Sequence, residues 1–299
     1  MKSSLFSMFF LFIFILGCSI NHDTSIDLNE IYKGDKIVLN GFVDLDSGCI
    51  VNLSKTAPSS GQHLNSELKF SDARLFLLEN GDTITELKGD SNGRFTSTNY
   101  KPTVGSKYKV VAVSTKLPNC SSEEVILLDK PQLKNINTKI KENLIFGRMG
   151  LLFYFNLTYQ TGNSNYFIYT AFKDKERDLG ITFLNKQEFR QTDNPCEYFN
   201  GDYYAGFNTK CFQSSDTLSF AGDYTSGFNL DSTGQIATIK NYSLVLTHIS
   251  SELYNYILSR NQPKGIEAAF VQPNILFTNI KNGYGIFYAT NSQKINYKF

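Results

Sequence analysis

The clearest sign of β-structure in the sequence is the run Ala73-Arg-Leu-Phe-Leu-Leu-Glu-Asn-Gly-Asp-Thr-Ile-Thr-Glu-Leu87. It places two strand-forming runs on either side of Asn80-Gly81, the dipeptide that best supports a type I′ hairpin turn because both of its positions need positive φ. A second such dipeptide, Asn92-Gly93, precedes Arg94-Phe95-Thr96-Ser97 and predicts a second type I′ turn. The local pattern is therefore typical of antiparallel β-structure.

Short strand-forming runs of the same kind recur outward from this hairpin. Between residues 35 and 130 they follow one another at roughly 8–12 residues, a spacing typical of a β-sandwich of about 100 residues. The sequence therefore predicts a β-sandwich domain over 35–130. The predicted strands are 36–43, 49–53, 73–78, 83–87, 94–97, 108–113 and 124–128.

The remainder of the chain continues in β patterns after a polar break. Residues 131–137 are polar and begin with proline, which predicts a linker between domains. Further strand-forming runs predict a β-rich C-terminal domain over 138–299, with a hairpin turn at 161–163 between its first two strands. No helix is regular enough to alternate with strands, so the predicted fold class is mainly β rather than doubly wound α/β.

One segment near 250–262 is predicted to be a short amphipathic helix. Ser250 or Ser251 can cap its N-terminus, and acidic Glu252 lies in the first turn, where the helix dipole favours it. Apolar residues at spacings of three and four predict one buried stripe. That stripe consists of Leu253, Tyr256, Ile257 and Arg260.

The N-terminus predicts export and lipidation. The apolar run from Leu5 to Leu16 is well short of the roughly 20 residues that span a bilayer, which is typical of a secretory signal peptide. Ile15-Leu16-Gly17-Cys18 then follows the lipobox pattern, in which the cysteine receives a diacylglycerol and becomes the new N-terminus. We therefore expect a signal peptide over 1–17 and a lipidated tether over 18–34. The alternative is an ordinary signal peptide that ends by chance at a cysteine.

Charge argues against two classes of partner. Removal of residues 1–17 removes Lys2 and leaves 28 of the 29 Lys+Arg residues against 28 Asp+Glu, a formal net charge of zero. A neutral chain lacks the basic footprint of a nucleic-acid-binding protein. It also lacks a polybasic patch for anionic lipid, so we expect membrane contact through the N-terminal lipid alone.

Four cysteines remain after Cys18 is set aside. An even number in an exported protein predicts two disulfides, for which three connectivities exist. Pairing within each predicted domain favours Cys49–Cys120 and Cys196–Cys211. Free buried thiols are the alternative. The four cysteines do not have the spacing of a metal site.

The sequence predicts no catalytic residue, metal site or cofactor. His22, His63 and His248 belong to no metal or catalytic motif, and His248 is expected to end a strand and bond to backbone. Asp44-Leu-Asp46-Ser-Gly48 and Asp90-Ser-Asn92-Gly93 resemble half of a calcium loop but lack its downstream glutamate. Turns in which Asp and Asn bond to nearby backbone are the simpler interpretation.

An aromatic and glycine-rich segment, 197–229, is the candidate contact surface. Aromatic side chains between glycines offer large, rigid contact area, which suits protein interfaces and the stacking of sugar rings. The alternative is a long hairpin whose aromatics pack on their own sheet. The candidate contact residues are Tyr198, Phe199, Tyr203, Tyr204, Phe207, Phe220, Tyr224 and Phe228.

Both ends of the mature chain resemble DUF4249, an uncharacterised family of Bacteroidota outer-membrane lipoproteins. The resemblance rests on the lipobox, on Val38-Leu-Asn-Gly-Phe-Val43, on Ser71-Asp-Ala-Arg-Leu-Phe-Leu, and most specifically on the string from Gln272-Pro273 to Phe277-Thr-Asn-Ile-Lys-Asn-Gly-Tyr-Gly-Ile-Phe287. It covers most of residues 30–290 and is weak over 175–230. It implies an Ig-like or prealbumin-like first domain and carries no catalytic residues.

The resemblance also implies a location and a kind of partner. Members are commonly encoded beside TonB-dependent receptors, so we expect a non-enzymatic protein, lipid-anchored at the outer membrane, that assists such a receptor or binds its cargo. Whether the body faces the periplasm or the exterior stays open, as does the ligand. The alternatives are a structural or assembly lipoprotein of the envelope and a surface hydrolase of glycans or peptides.

Overall fold

The predicted hairpin is present. Strands β3 (Arg74–Glu79) and β4 (Asp82–Gly89) are antiparallel neighbours. Their connection, Asn80-Gly81, has φ values of 52° and 94°. Both values are positive, as a type I′ turn requires, so the predicted hairpin and its turn are confirmed.

The computed structural model describes residues 34–57, 69–145, 148–158, 165–173, 176–178, 182–183, 199–200, 205–209, 217–223, 229–230, 236–237, 241–260 and 276–298. The mainly β class is confirmed, and within these ranges one helix, α1 (Ser251–Arg260), accompanies the strands. No helix in the described ranges has the length and apolar character needed to cross a membrane. The remaining strands are β1 (Ile37–Asp44), β2 (Gly48–Lys55), β5 (Arg94–Thr96), β6 (Lys107–Val113), β7 (Cys120–Ser122), β8 (Val125–Ile126), β9 (Gln132–Ile145), β10 (Arg148–Thr158), β11 (Tyr166–Lys173), β12 (Glu176–Asp178), β13 (Thr182–Phe183), β14 (Phe199–Asn200), β15 (Ala205–Asn208), β16 (Thr217–Asp223), β17 (Asn229–Leu230), β18 (Ile236–Ala237), β19 (Asn241–Ile249), β20 (Ile280–Lys281) and β21 (Tyr284–Lys298).

One curled sheet contains most of these strands. Its order is β14-β15-β11-β19-β21-β1-β2-β5-β4-β3-β6-β7-β20, with β12 beside β11 and β8 beside β6. A four-stranded sheet has the order β13-β16-β10-β9, and β17 pairs with β18. Because β4 pairs with β3 along most of its length and with β5 at its end, the first part of the chain curls into a β-sandwich-like body.

Two apolar cores fill this arrangement. The first lies within the sandwich, where alternate residues of each strand point inward, such as Leu39 of β1, Leu77 of β3 and Val110 of β6. The second core lies between the four-stranded sheet and strands β11, β15 and β19. Its large members include Phe153 and Phe220.

Strand β21 belongs to both cores. Its first half, Tyr284 to Thr290, pairs in parallel with β1, and Phe287 and Ala289 enter the first core. Its second half, Thr290 to Lys298, pairs antiparallel with β19, and Ile295 enters the second core. The predicted division into domains 35–130 and 138–299 stays a prediction, and this backbone pairing crosses it.

An asparagine and two glycines hold the start of β21 in place. The Asn279 side chain accepts from the N–H of Phe287 (3.0 Å) and donates to its carbonyl oxygen (2.7 Å). Gly283 and Gly285 approach the backbone of β1 so closely that a Cβ would press on the carbonyl oxygens of Ile37 and Leu39 respectively. The sequence up to Phe287 that is most specific to the family resemblance therefore forms the contact between β1 and β21, the first and last strands of the described chain.

Two connections differ from prediction. Residues 132–137, predicted as a linker, are the start of β9, which pairs with β10 at the edge of the four-stranded sheet. Charged and polar residues are common on edge strands, which explains the polar sequence. The turn predicted at 161–163 lies outside the described residues, but β10 and β11, the strands that it was expected to pair, belong to different sheets.

The second Asn-Gly turn also differs. Gly93 has a φ of 73°, but Asn92 is not among the residues with positive φ, so the predicted type I′ turn at 92–93 is wrong. The Asp90 carboxylate accepts from the N–H groups of Asn92 (2.8 Å) and Arg94 (3.0 Å), and the Gly93 N–H donates to Asp90 O (3.2 Å). Asp90 at the first position and Gly93 at the fourth position favour a type I β-turn instead.

The helix is confirmed, and so is part of its predicted stripe, because Ile257 is buried and Leu253 packs against the same cluster. Tyr254 and Ile257 are buried and contact Ile249, whereas the predicted Tyr256 is partly exposed. The Ser250 hydroxyl accepts from the N–H of Ala289 rather than from the helix. Tyr254 therefore takes the buried place predicted for Tyr256, beside Leu253 and Ile257.

We expect the Gly285→Ala substitution to lower the free energy of unfolding by at least about 3 kcal/mol. Gly285 has a φ of 106°, and an added Cβ would overlap the Leu39 carbonyl. The matched control is Gly81→Ala, whose φ is 94° and whose Cβ would meet nothing within 4 Å. It should lose only about 1–2 kcal/mol. Equal losses in urea denaturation would contradict the role assigned to the β1–β21 contact.

Candidate contact surface

The aromatic and glycine-rich segment is only partly described, and two of its residues are core residues. Phe207 of β15 and Phe220 of β16 are 2% and 0% exposed. Phe207 stacks on Phe167 at 5.5 Å, and Phe220 stacks on Phe155 at 5.4 Å. The prediction that these two form a contact surface is wrong, because both strands turn them toward the opposite sheet. Tyr198, Tyr203, Tyr204, Tyr224, Phe228 and the Phe199 side chain lie outside the described residues.

Cys49 and Cys120 are free, buried thiols, so the predicted disulfide between them is wrong and the alternative holds. Cys49 pairs with Val43 at one end of β1, whereas Cys120 lies beside Gly283, which contacts Ile37 at the other end. Six residues of strand separate these positions by about 20 Å, far beyond the roughly 7 Å limit between bridged Cα atoms. Burial raises the pKa of both thiols, that of Cys120 to about 11. Cys18, Cys196 and Cys211 lie outside the described residues.

His248 ends strand β19 and bonds to backbone, as predicted. Its Nδ1 lies 3.0 Å from the carbonyl oxygen of Asp129, and its ring stacks on Phe167. Removal from solvent lowers the pKa of His248, against a smaller opposing effect of Asp129. His22 and His63 lie outside the described residues.

The two aspartate-rich segments form turns. The Asp44 carboxylate accepts from the N–H groups of Asp46 (2.9 Å) and Ser47 (2.8 Å), in the way that Asp90 holds its own turn. Interpretation of these segments as turns is confirmed. Within the described ranges, the acids, histidines and cysteines form no group of three that could hold a metal ion.

A hydrogen-bonded cluster lies at the turn end of the β3–β4 hairpin. It is not predicted from the sequence. The Glu79 carboxylate accepts from the hydroxyls of Tyr100 (2.7 Å) and Tyr108 (2.8 Å), and Tyr108 also accepts from the N–H of Thr103 (2.6 Å). Partial burial opposes ionisation of Glu79, but these hydrogen bonds and one from Ser106 outweigh it and lower its pKa. The cluster fastens the loop before β6 to the turn of the hairpin.

A cleft opens at the other end of this hairpin. The last pair between β3 and β4 is Leu75 with Leu87, after which Lys88 and Gly89 pair with β5 instead. The chain before β3 and the end of β4 therefore diverge. A cavity of about 740 Å³ lies between them, and its lining includes Ser71, Ala73, Glu86, Lys88, Asp90 and Ser91. Gly89 permits this crossing, because a Cβ there would press into the Phe95 ring.

The charges of the cleft are largely paired. Glu86 accepts two hydrogen bonds from Arg74 (2.9 and 2.7 Å), which lower the pKa of Glu86. Backbone N–H groups of Arg94 and Asn92 lower the pKa of Asp90. Lys88 is exposed and forms no ion pair with the described residues. The cleft therefore offers hydrogen bonds and one unpaired positive charge.

An apolar sheet surface adjoins the cleft on the same hairpin. It consists of the outward side chains of β3, β4, β6 and β8, and we name it the outer hairpin face. Phe76 and Val111 are cross-strand neighbours and half-buried at its centre. Val113 of β6 and Ile126 of β8 are 39% and 45% exposed, and Ile84, at a bulge in β4, is 43% exposed. Clustered exposed apolar side chains are typical of a protein interaction site, so the outer hairpin face and the cleft form the candidate contact surface.

The comparison with protein families gives a match over nearly the whole chain. The model described as "Domain of unknown function (DUF4249)" matches residues 23–296. No protein of curated function matches the chain.

Solved structures resemble the chain only distantly. A Corynebacterium diphtheriae protein described as membrane anchored is 8% identical with a TM-score of 0.20; the match covers 73% of this chain, which spans only 55% of the length of that protein. Extracellular domains 3–5 of Drosophila OTK are 9% identical with a TM-score of 0.19, and the match covers 71% of this chain and 93% of that one. A structure titled as manganese lipoxygenase of Gaeumannomyces graminis and partial zonadhesin of Komagataella pastoris is 10% identical with a TM-score of 0.18, covering 72% and 88%. Scores this low carry no argument about function.

We expect stability to fall as the pH drops from about 7.5 to 5.5, in part through His248. Its pKa in the folded protein lies below the ordinary value of 6.5, so the unfolded chain binds the proton more readily. The stability contributed by neutral His248 is therefore present above pH 6.5 and is lost as the pH falls below it. Urea denaturation across this range should show a smaller pH dependence for His248→Gln. An unchanged dependence would contradict the assignment to His248.

Proposed function

The chain belongs to the DUF4249 family, and from this premise we propose that it is a lipid-anchored protein of the bacterial outer membrane that binds a partner protein and catalyses no reaction. The partner class that we propose is a TonB-dependent receptor, or the cargo that such a receptor imports. Binding takes place through the β body, and the lipid keeps the body beside the receptor. Whichever face of the membrane the body occupies, the lipid holds it at the membrane in which the receptor lies.

The single observation that carries this proposal is the lipobox Ile15-Leu16-Gly17-Cys18, which ends an apolar run too short to span a bilayer. Acylation at Cys18 would leave a tether of sixteen residues, 19–34, before the sandwich. Such a chain is long enough for the body to turn and meet a neighbouring protein while it stays anchored. One acyl chain binds a membrane only marginally, whereas more than one gives stable anchoring.

The outer hairpin face supports binding of a protein rather than of a charged polymer. Its centre is apolar, and two ion pairs lie among and beside its strands: Arg74 with Glu86 (2.7 Å) and Lys107 with Glu124 (3.7 Å). Paired charges around an apolar centre resemble the polar rim and apolar core of a protein interface. The adjoining cleft offers exposed hydrogen-bonding groups and Lys88 to the same partner.

A structural or assembly role in the envelope is the second candidate. The observation that favours it is the participation of β21 in two cores, which fixes the sandwich to the rest of the body as a spacer would require. Deletion would then cause a general envelope defect. A defect limited to uptake of particular nutrients would favour the receptor partner instead.

We expect Cys18→Ala to abolish lipidation, because the thiol is the acceptor of the diacylglycerol. Cells fed an alkyne-labelled fatty acid should incorporate the label in the wild-type protein and in the control Ser19→Ala. Cys18→Ala should incorporate none. Mass spectrometry of the native N-terminus should give an acylated Cys18. An unlipidated mature chain, or label retained in Cys18→Ala, would contradict the proposal.

We expect Ile126→Asp, on the same outward face as its neighbour Lys107, to reduce recovery of the receptor by about tenfold or more, because a buried charge opposes an apolar interface and about 1.4 kcal/mol corresponds to tenfold in affinity. The measurement is quantitative co-purification from solubilised outer membranes with the lipidated protein. Ile136→Asp is the matched control, since Ile136 is an equally exposed isoleucine on edge strand β9. Equal recovery with both variants would exclude the outer hairpin face, and failure to recover a receptor with the wild type would exclude the partner class.

A further inference from the structure

One row of inward side chains crosses four neighbouring strands where the second core ends. Cross-strand register places Phe207 opposite Phe167, Phe167 opposite His248, and His248 opposite Asn291. All four are buried, and Phe167 stacks on the imidazole at 4.6 Å between ring centroids. The row therefore passes from apolar core to two adjacent polar side chains, whose chemistry the proposed function does not use.

Both polar side chains donate to consecutive carbonyl groups of the same backbone segment. His248 Nδ1 lies 3.0 Å from Asp129 O, and Asn291 Nδ2 donates to Leu128 O at 2.9 Å. A carbonyl oxygen only accepts, so Nδ1 carries the proton and neutral His248 has a lone pair at Nε2. The same reasoning fixes the orientation of the amide, with Asn291 Oδ1 as its remaining acceptor.

The two remaining polar atoms, His248 Nε2 and Asn291 Oδ1, are buried and have no hydrogen-bond partner among the described residues. The residues that carry them are 8% and 0% exposed. Directly opposite residues of an antiparallel pair have Cβ atoms about 4.5–5.5 Å apart, so a single small molecule can reach both acceptors. Two acceptors cannot satisfy each other, and a shared partner must therefore donate two protons.

We propose that His248 and Asn291 form an internal binding site for one water molecule, which donates one proton to Nε2 and the other to Oδ1. Buried waters commonly occupy such positions, where they bond to polar groups that would otherwise be unpaired at a cost. Two acceptors are too few for a bound cation, since zinc takes about four ligands and calcium six or more. Water supplies the required number of protons without a net charge.

The position of this site gives it a structural role. Residues 128 and 129 lie between β8 of the sandwich and β9 of the four-stranded sheet. His248 and Asn291 hold this connection against β19 and β21, while Lys130, the next residue, forms an ion pair with Asp46 (2.7 Å). The water links the two side chains by hydrogen bonds. Residues 128 and 129, which connect the two cores, are therefore held by a continuous hydrogen-bonded chain.

The test is a count of long-lived internal waters by oxygen-17 magnetic relaxation dispersion on the folded mature chain. The double variant His248→Phe/Asn291→Leu replaces both acceptors by apolar groups of similar shape and keeps an aromatic ring against Phe167. We expect this variant to hold one long-lived water fewer than the wild type. The control Ser122→Ala, which alters a buried polar side chain in the first core, should keep the wild-type number. Equal counts in the wild type and the double variant would overturn the proposal.

Two further measurements on the wild-type chain keep the test independent of the variants. Two-bond proton–nitrogen correlation spectra should give His248 as the Nδ1-protonated tautomer, and an Nε2-protonated ring would overturn the proposal. In a crystal structure, we expect a density peak at about 3 Å from both Nε2 and Oδ1. An anomalous signal at that peak after a rubidium soak would show that the site binds a monovalent cation, and this result would also overturn the proposal.

Discussion

The parallel pairing of β1 with β21 is the interaction on which the rest of the structure depends. It places the first and last strands of the described chain side by side, and it makes a single strand serve two apolar cores. Parallel neighbours cannot be joined by a tight turn, so their pairing requires closure of nearly the whole intervening chain. The contact is correspondingly specific: Asn279 occupies both backbone groups of Phe287, and Gly285 leaves room for the Leu39 carbonyl.

Much of the local structure could be predicted from the sequence, for reasons that particular elements make plain. The β3–β4 hairpin has alternation on both sides of a dipeptide that accepts positive φ at two positions, so pattern and turn chemistry agree. Strand β9 could not be found in this way. Most of its described side chains are exposed, so its apolar residues are sparse, and a polar edge strand that begins after proline has the composition of a linker.

The remaining differences arise where long-range contacts decide the outcome. Ser250 could cap the helix by its position alone, but its hydroxyl accepts from the N–H of Ala289, and Tyr254 rather than Tyr256 is buried. The Cys49–Cys120 pairing assumed that two cysteines in one sandwich would lie close together, whereas strand register places them at opposite ends. Composition indicates which residues share a sandwich, but it does not indicate how far apart they lie along the strands.

The same limit explains why the prediction of a contact surface at Phe207 and Phe220 is wrong. Phe207 and Phe220 lie between glycines, yet glycine in a strand equally permits close packing of facing sheets, and both rings are buried. In β3 the opposite holds. The run Leu75-Phe-Leu-Leu78 is apolar on both faces, a pattern typical of strands covered on both sides. Leu75 and Leu77 fill the core, while Phe76 and Leu78 lie half-buried on the outer face. A strand that is apolar on both sides and covered on one retains the composition of an interface, and it is this mismatch between pattern and cover, rather than aromatic content, that makes the outer hairpin face the candidate contact surface.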